Sequence, residues 1–363
     1  MPDPPPAVTS FAFAGAGWVT AVHGLAVDAL DHVHVVHVAS RRGFSASRRA
    51  EQTGAVVCRY EDLPGGADVV LVATPPPVHR QEAERAVAGG AAALVETPLA
   101  ATLDDADAIV ALAAGGGIVA YGENLAYSPA VAEAVAACRR MGELTHLEVR
   151  MAQGRPDWAE HRLVPEWGGG ALFDLGVHAV ALALLAAAPA RPVAVEARVS
   201  GGPGIEIDDD AELTLEFDTG LRAQVRASWR SAAPTWDAQA ASATGAVRLE
   251  LVPEPTVELN GMALHLPDAP PKAASAQLHY LGYIGQLATV AADVEADHPP
   301  RMPAVFGRLV LEIVCAGYTA ARTGKAEPLP YQGPRDRTPH ELWVGDPEPA
   351  PGPDPSPDEP PTD

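Results

Sequence analysis

The sequence predicts an α/β protein with two domains, and three observations lead to that prediction. Short apolar strands alternate with helices from residue 11 to about residue 125, which is the pattern of a doubly wound parallel sheet. Beyond Arg140 apolar and polar residues alternate one by one, as in a sheet with one buried face. A length of 363 residues suits about two domains. We therefore predict an N-terminal doubly wound parallel sheet, followed by an α/β domain with a large, mostly antiparallel open sheet.

The first strand leads into a glycine turn. Phe11 to Ala14 is apolar and ends in Gly15-Ala16-Gly17, and a helix follows from Trp18 and Val19 onwards. Strand, glycine turn and helix in this order form a dinucleotide-binding turn, in which the pyrophosphate rests on the helix N-terminus. Thr20 stands where the third glycine of such a turn would be. The stretch predicts a Rossmann-type cofactor site.

The second strand, Val33 to Ala39, ends in Ser40-Arg41-Arg42. NAD sites usually have an acid here for the ribose 2′-hydroxyl, whereas a hydroxyl and two arginines suit a 2′-phosphate. We therefore expect NADP(H) rather than NAD, with a solvated basic loop as the alternative. His32, His34 and His37 invite a metal site, but strand alternation puts His37 on the opposite face, and no ligand motif accompanies them. We expect no bound metal.

Three further strands complete the first sheet, at Asp68–Ala73, Ala92–Val95 and Ile118–Tyr121. The first of them is followed by Thr74-Pro75 and the second by Glu96-Thr97. Ligands of such sheets bind at the carboxyl ends of the strands. Both dipeptides are therefore expected at the cofactor site.

The second half of the chain predicts the open sheet. Residues 212–217 and 221–229 alternate apolar and polar side chains and are joined by Asp218-Thr219-Gly220, which indicates a hairpin with one polar face. Further strands are expected at Thr145–Met151, Val193–Val199 and Val247–Leu251. One face should pack on helices, and the other pairs with a second subunit or faces water. Residues 332–363 are rich in proline and acids and lack periodicity, which predicts a mostly unstructured tail.

The stretch from Gly168 to His178 carries three glycines and then an acid and a histidine. Asp174 and His178 lie four residues apart, at the start of an apolar helix over Val177–Ala188, so the spacing places both on one helical face. An acid that orients a hydroxyl beside an imidazole that takes its proton makes an acid/base pair. The alternative is that Asp174 caps the helix and His178 is an ordinary core residue.

Composition narrows the possible partners and the compartment. A formal net charge of −22 argues against a nucleic-acid partner, because a phosphate backbone needs a basic face. Cys58, Cys138 and Cys315 form no CxxC pair, which fits a reducing cytoplasm and no structural metal. Met1–Ser10 lacks a basic start, and the apolar run Ala179–Ala190 is short for a membrane span. We expect a cytoplasmic protein with a small-molecule substrate and no membrane partner.

Several stretches, taken in order, resemble the glucose-fructose oxidoreductase / inositol dehydrogenase / rhizopine-catabolism (Gfo/Idh/MocA) family over about residues 11–330. They are Gly15-Ala16-Gly17 with His23, Val38-Ala39-Ser40-Arg41, Ala73-Thr74-Pro75 with His79, Val95-Glu96-Thr97-Pro98-Leu99, Asn124 with Tyr127 and Pro129, the Gly168 to His178 stretch, and Gly282-Tyr283-Ile284. The resemblance implies a Rossmann domain, an α/β domain whose open sheet serves oligomerisation, and hydride transfer between NAD(P) and a carbinol of a sugar, cyclitol or similar molecule.

The resemblance also implies roles for individual residues. His178 matches the family's acid/base, and Asp174 the residue that orients the substrate hydroxyl. The expected catalytic residues are His178, Asp174, Thr97 and Glu96, and the expected substrate contacts are Tyr127, Asp174 and His178. The expected cofactor-binding residues are Gly15, Gly17, Trp18, Val19, Ser40, Arg41, Arg42, Thr74, Pro75, His79, Glu96 and Asn124.

One position departs from the family pattern, because Thr97 stands in place of the lysine of a Glu-Lys-Pro motif. Threonine donates a hydrogen bond but supplies no charge, and loss of a positioned acid/base group costs on the order of 10²–10⁴ in rate. Three explanations compete. His178 alone suffices for an activated substrate, another cation replaces the lysine, or the protein binds dinucleotide without catalysis. The candidates for another cation are Arg155, His161, Arg162 and Lys272.

These observations together predict an NADP(H)-dependent oxidoreductase acting on a carbonyl or carbinol of a sugar, cyclitol or secondary-metabolite intermediate. A catalytically silent NADP(H)-binding regulatory or scaffold protein is the alternative. The expected domains are a flexible N-terminus over 1–10, an NAD(P)-binding Rossmann domain over 11–125, a substrate-binding and oligomerisation domain over 126–331, and the tail over 332–363. We expect a homodimer or homotetramer formed through the C-terminal sheet.

Overall fold

The N-terminal domain is the expected doubly wound parallel sheet. The structure is a computed structural model that describes residues 8–156, 164–202, 204 and 206–345. Within them the first sheet has six strands in the order β3-β2-β1-β4-β5-β6, and every pair is parallel. The strands are β1 (Thr9–Ala14), β2 (Val33–Ala39), β3 (Val56–Cys58), β4 (Val69–Val72), β5 (Ala92–Val95) and β6 (Val119–Tyr121). The helices between them are α1 (Trp18–Val27), α2 (Gly43–Thr53), α3 (Pro76–Ala88) and α4 (Leu103–Ala114).

The first strand begins earlier than expected. β1 begins at Thr9 instead of Phe11. Ser10 donates from both its backbone nitrogen, at 2.8 Å, and its hydroxyl, at 2.6 Å, to Oδ2 of Asp68, and these bonds fix it beside β4. Residues 1–7 of the predicted flexible segment lie outside the described residues.

The second domain contains the expected open sheet. In the described residues it has nine strands in the order β14-β13-β12-β11-β7-β10-β9-β8-β15, and β7 with β10 is its parallel pair. The strands are β7 (Leu144–Gly154), β8 (Pro192–Ser200), β9 (Asp210–Phe217), β10 (Arg222–Ser228), β11 (Arg230–Ser242), β12 (Gly245–Val252), β13 (Thr256–Leu259), β14 (Met262–Ala263) and β15 (Glu327–Pro328). The helices are α5 (Pro129–Met141), α6 (Val177–Ala187), α7 (Ala276–Tyr280), α8 (Tyr283–Glu295), α9 (Ala304–Thr323) and α10 (Pro339–Val344).

Helices cover one face of this sheet, because the alternate residues of its strands are apolar. Leu213, Leu215 and Phe217 of β9 are almost fully buried, and α5, α6 and α9 pack on this side of the sheet. Two apolar helical stretches, 165–187 and 304–323, reach the length and hydropathy of a membrane span, yet most of each lies inside the protein core.

The two domains share a core. α8 packs on α1 of the first domain, and its Ile284 and Leu287 join Phe11 and Phe13 of β1 in one apolar cluster. α9 packs on α4 as well as on the open sheet. The sequence boundary near residue 125 therefore separates two sheets but not two independent packing units.

The predicted unstructured tail is wrong for residues 332–345. Thr338 and Glu341 form a reciprocal capping box with Pro339 at the first helical position, and these start α10. The backbone nitrogen of His340 donates to the Gly168 carbonyl at 2.7 Å. A helix of six residues is too short to show periodicity, which explains the wrong prediction. Residues 346–363 lie outside the described residues.

Candidate active site

A cleft lies between the carboxyl edge of the first sheet and the glycine stretch of the second domain. It brings together most of the residues expected at the site. Those that line it are Gly15, Gly17, Trp18, Val19, Ser40, Arg41, Arg42, Thr74, Pro75, Glu96, Thr97, Asn124, Asp174 and His178. The ends of four parallel strands and one segment of the second domain thus meet at one place, as the strand-end rule predicts.

The glycine turn has the shape that a dinucleotide needs. Gly15 has φ +123°, and a Cβ there would lie 2.3 Å from the Ala73 carbonyl oxygen, so β1 and β4 approach too closely for a side chain. At Gly17 a Cβ would meet nothing within 4 Å, because this residue faces the open cleft. α1 begins directly after Gly17 without a side-chain cap. The N-terminal end of α1 therefore suits a bound diphosphate.

The adenosine end of the cleft is basic. Arg41 and Arg42 are exposed there beside Ser40, whose hydroxyl oxygen accepts a 3.2 Å hydrogen bond from the Arg42 backbone nitrogen. Tyr60 and Ser45 line the same end. Within the described chain neither arginine forms an ion pair with a carboxylate. Both guanidinium groups can therefore meet an anionic ligand.

His178 is held by a carboxylate that the sequence reasoning did not select. Its Nδ1 lies 2.9 Å from both carboxylate oxygens of Glu123, which follows β6 and is fully buried. Its Nε2 lies 3.5 Å from Oγ1 of Thr97, at the outer limit of a hydrogen bond. The ring thus donates from Nδ1 to Glu123 and directs Nε2 toward the cleft.

The charges around His178 favour its protonated form. Burial alone lowers the pKa of the imidazole, but the carboxylate of Glu123 and then those of Asp174 and Glu96 raise it above the ordinary 6.5. Glu123 could have been found in the sequence by the strand-end rule, because it follows the last strand of the first sheet just as Glu96 follows β5.

Asp174 lies on a wider turn than expected. Residues Leu172–Gly176 form one turn of π-helix before α6 begins at Val177, so the predicted α-helical spacing of Asp174 and His178 is wrong. Such turns often occur at functional sites. Both side chains still line the cleft, where Asp174 acts on His178 through its charge.

A buried acid on another loop holds the glycine stretch in place. Asp208 accepts hydrogen bonds of 2.8 Å from the backbone nitrogens of Gly170 and Leu172 and of 2.5 Å from the Tyr318 hydroxyl. A Cβ on Gly170 would lie 1.8 Å from the Asp208 carbonyl oxygen, so only glycine fits there. Burial raises the pKa of Asp208 to about 6, and these three donors limit the rise.

Glu96 and Asn124 line the cleft, yet their polar groups bind within the protein. Glu96 places Oε1 2.5 Å from Nε2 of the buried His23, and its Oε2 accepts from the Thr97 backbone nitrogen at 3.2 Å. Asn124 donates from Nδ2 to the Leu281 carbonyl at 2.7 Å. In this geometry both residues position neighbouring groups, and the expected catalytic part of Glu96 stays a prediction.

Two expected site residues do not line the cleft. His79 is buried behind it, with Nε2 2.7 Å from the Thr74 carbonyl oxygen and Nδ1 3.2 Å from that of Leu99. It supports the Thr74 loop from behind, and its expected contact with the cofactor stays a prediction. Tyr127 is 6% exposed and packs under Arg301, whose guanidinium carbon is 5.4 Å from the ring centroid. It does not line the cleft, and its expected substrate contact stays a prediction.

The two candidates for a replacement cation that the structure describes do not line the cleft. Lys272 forms an exposed ion pair with Asp31, and exposed Arg155 does not line the cleft. His161 and Arg162 lie outside the described residues. Four further described side chains that line the cleft were not among the expected site residues. They are Gln153, Trp167, Phe173 and Trp236.

The glycine turn on a parallel sheet and the carboxylate-held histidine across the cleft define the class of NAD(P)-binding oxidoreductases. The chain belongs to the Gfo/Idh/MocA family. A model of the oxidoreductase family's NAD-binding Rossmann fold matches residues 9–122, and a model of the GFO/IDH/MocA C-terminal domain matches residues 130–252.

Characterised relatives match parts of the chain. The 1,5-anhydro-D-fructose reductase of Ensifer adhaerens is 32% identical over 205 residues, which are 53% of this chain and 60% of that protein. The dTDP-3,4-didehydro-2,6-dideoxy-alpha-D-glucose 3-reductase of Streptomyces antibioticus is 32% identical over 163 residues, 42% of this chain and 48% of that protein. The chain thus matches between about half and 60% of the length of these relatives.

Solved structures share the whole fold. GenD2 from gentamicin A biosynthesis, in complex with NAD, gives a TM-score of 0.78 at 24% identity and covers 89% of this chain and 97% of its own. The WlbA dehydrogenase from Bordetella pertussis, in complex with NADH and UDP-GlcNAcA, gives 0.76 at 20% identity and covers 90% and 99%. The predicted family, the α/β fold class and the Rossmann domain are confirmed.

Proposed function

We propose that the protein is an NADP(H)-dependent oxidoreductase that acts on a carbonyl or carbinol of a sugar, cyclitol or secondary-metabolite intermediate. The observation that carries the proposal is the placement of His178, which Glu123 orients so that Nε2 faces the cleft beside Thr97. The names of the two relatives, both sugar reductases, support the substrate class.

The preference for NADP(H) rests on the basic end of the cleft. The end of β2 offers Ser40, Arg41 and Arg42, and a 2′-phosphate is a bidentate partner for arginine. The solved relatives in complex with NAD or NADH show that the fold accepts that cofactor in those proteins. The cofactor preference of this chain is therefore inferred from its own residues at the end of β2.

The chain's residues account for the proton that accompanies hydride transfer. The bound nicotinamide would supply or accept the hydride. In the reducing direction the protonated His178 donates from Nε2 to the substrate oxygen, while Glu123 stabilises the imidazolium. Thr97 provides a hydroxyl donor near that oxygen. Because the pKa of His178 is raised, the imidazolium itself supplies the positive charge that the family lysine would bring.

The first experiment is a nicotinamide-fluorescence titration of the purified, nucleotide-stripped protein with NADPH and with NADH. We expect tighter binding of NADPH. Arg41→Gln should reduce the ratio of NADPH affinity to NADH affinity by about tenfold or more, because one charge-assisted hydrogen bond to the 2′-phosphate is worth roughly 1.5–3 kcal/mol. Equal affinity of the wild-type protein for both cofactors would remove the NADP(H) assignment.

Turnover assays distinguish an enzyme from a protein that binds dinucleotide without catalysis. Thr97, in place of the family's lysine, would favour the second alternative. Assays with NADPH begin with 1,5-anhydro-D-fructose and dTDP-linked keto-deoxysugars. His178→Ala and Asp174→Ala should each abolish turnover while leaving the protein folded and its NADPH binding near wild type; His178→Ala should lower the melting temperature, because it leaves the buried Glu123 carboxylate without its partner. Thr97→Lys should slow an enzyme adapted to threonine. Full activity of His178→Ala would disprove the proton-transfer role, and NADPH binding without turnover across the panel would favour the silent protein.

A further inference from the structure

A buried arginine lies behind the glycine turn. Arg49 of α2 is 8% exposed, although arginine is rarely buried without a partner of opposite charge. Its Nε donates to Oγ1 of Thr20 at 3.1 Å, and one terminal nitrogen donates to the Gly17 carbonyl at 2.9 Å. Its other terminal nitrogen donates to Oε1 of Gln52. All three acceptors are neutral oxygens.

The positive charge of Arg49 has no carboxylate partner in the described part of the chain. Burial lowers the pKa of the guanidinium, and the neighbouring Arg48 lowers it further, while no acid raises it. A buried charge that lacks an opposite charge is unfavourable. An anion bound on the far side of the glycine turn would supply the missing charge.

The peptide group between Gly17 and Trp18 links Arg49 to the cleft side of the glycine turn, where the anion would bind. The Gly17 carbonyl accepts hydrogen bonds from Arg49 and from the Thr20 hydroxyl, the latter at 2.8 Å. Because C=O and N–H point in opposite directions in a trans peptide, fixing this carbonyl toward Arg49 directs the Trp18 N–H the other way. Trp18 is the first residue of α1 and lines the cleft.

We propose that Arg49 is a positioning residue and the buried countercharge for the diphosphate of the dinucleotide. It acts through the Gly17–Trp18 peptide, which it orients and polarises, and Thr20 replaces the third glycine because its hydroxyl holds both Arg49 and the Gly17 carbonyl. This inference rests on the proposed function only in that the turn must bind a diphosphate.

The test is ADP binding, measured by calorimetry without any turnover, in wild type, Arg49→Gln, Arg49→Lys and Arg48→Gln. Arg48 is the matched control, because it is the exposed neighbour on the same helix and loses the same charge. We expect Arg49→Gln to weaken ADP binding by about tenfold or more, as for a unit charge several ångströms away in a medium of intermediate dielectric constant. Arg48→Gln should change the affinity by less than about twofold. Arg49→Lys should recover part of the affinity, because lysine keeps the charge but not the planar guanidinium fork that holds Thr20 and the Gly17 carbonyl.

Melting temperatures of the free variants accompany the titrations. An unchanged ADP affinity in Arg49→Gln, or equal losses in Arg49→Gln and Arg49→Lys, would overturn the countercharge role. If Arg49→Gln does not fold, Thr20→Val provides the test instead. This variant keeps the charge of Arg49 but removes the Thr20 hydroxyl that holds the guanidinium in place. A several-fold loss of ADP affinity at wild-type melting temperature supports the inference, and an unchanged affinity overturns it. A wild-type protein that binds no ADP would overturn the proposed function as well.

Discussion

At the scale of single residues, His178 and Glu123 form the unit on which the proposed chemistry depends. The fully buried carboxylate of Glu123, 2.9 Å from Nδ1, favours the protonated form of the His178 ring. Because position 97 is threonine and not lysine, the protonated ring of His178 carries the positive charge at this place in the cleft. Catalysis by this pair is therefore expected to depend strongly on pH.

Glu123→Gln tests that dependence. The replacement keeps the shape and removes the charge that raises the pKa of His178, so this pKa falls. Reduction uses the protonated ring, so kcat/KM declines as pH rises through the pKa of His178, and in Glu123→Gln the decline should shift to lower pH. The measurement is the pH profile of kcat/KM, with histidine NMR titration as an independent readout. Glu133→Gln on the surface of α5 is the control. An unshifted profile would contradict the pairing.

At the scale of elements, the π-helical turn and its glycines show how the second domain presents its side chains. Asp208 and Tyr318 come from a loop and a helix far along the chain, and together they hold the backbone that leads into Asp174. Rigid support of this kind keeps a reactive side chain in its productive geometry. The fit is close enough that Gly170 admits no side chain.

Asp208→Asn tests the role of Asp208 through the pH dependence of the free energy of unfolding. Burial raises the pKa of Asp208 from 3.8 in the unfolded chain to about 6 in the fold. The folded protein thus binds this proton more tightly, and the resulting stabilisation is present below pH 3.8 and is lost as pH rises to about 6. We expect the unfolding free energy of wild type, relative to Asp208→Asn, to fall by about 3 kcal/mol over this range. Denaturant titrations at pH 4, 5, 6 and 7 measure it, and a constant difference would refute the assignment.

Local patterns in the sequence predict the elements that depend on neighbouring residues. Strand, glycine turn and helix identify the Gly15 site, and the Gly168 stretch identifies His178. The missed residues depend on contacts between distant segments. Glu123 is 55 residues from His178, Asp208 is 38 residues from Gly170, and Arg49 is 32 residues from Gly17. The strand-end rule could have found Glu123 itself, but no short pattern encodes which distant segments pair. Tertiary packing alone shows that Tyr127 is buried and does not line the cleft.

At the scale of the whole molecule, the face of the nine-stranded sheet that no described helix covers is the surface to consider for assembly. Cross-strand ion pairs extend over it. They join Arg150 to Asp237 at 2.5 Å, Arg222 to Glu196 at 3.2 Å and Arg226 to Asp210 at 3.3 Å. We propose that this face meets the same face of a second copy, because alternating charges can complement themselves about a two-fold axis. The assembly would be a homodimer or, with a second interface, a homotetramer.

Light scattering after size-exclusion chromatography measures the assembly. We expect two or four times the chain mass of 37.6 kDa at micromolar concentration. Arg222→Glu should lower that mass by placing like charges beside Glu196 and Glu216, while Arg140→Glu on α5 serves as the control. A wild-type mass of one chain at these concentrations would contradict the proposed interface.

The scarcity of lysine has a practical consequence. The two lysines of the chain, Lys272 and Lys325, are both exposed, and neither lines the cleft. Reagents that acylate lysine side chains therefore meet no lysine beside His178. Immobilisation on an amine-coupling sensor chip would leave the cleft chemically intact and accessible to nucleotides. A relative with lysine at the position of Thr97 would risk losing its reactive amine under the same treatment.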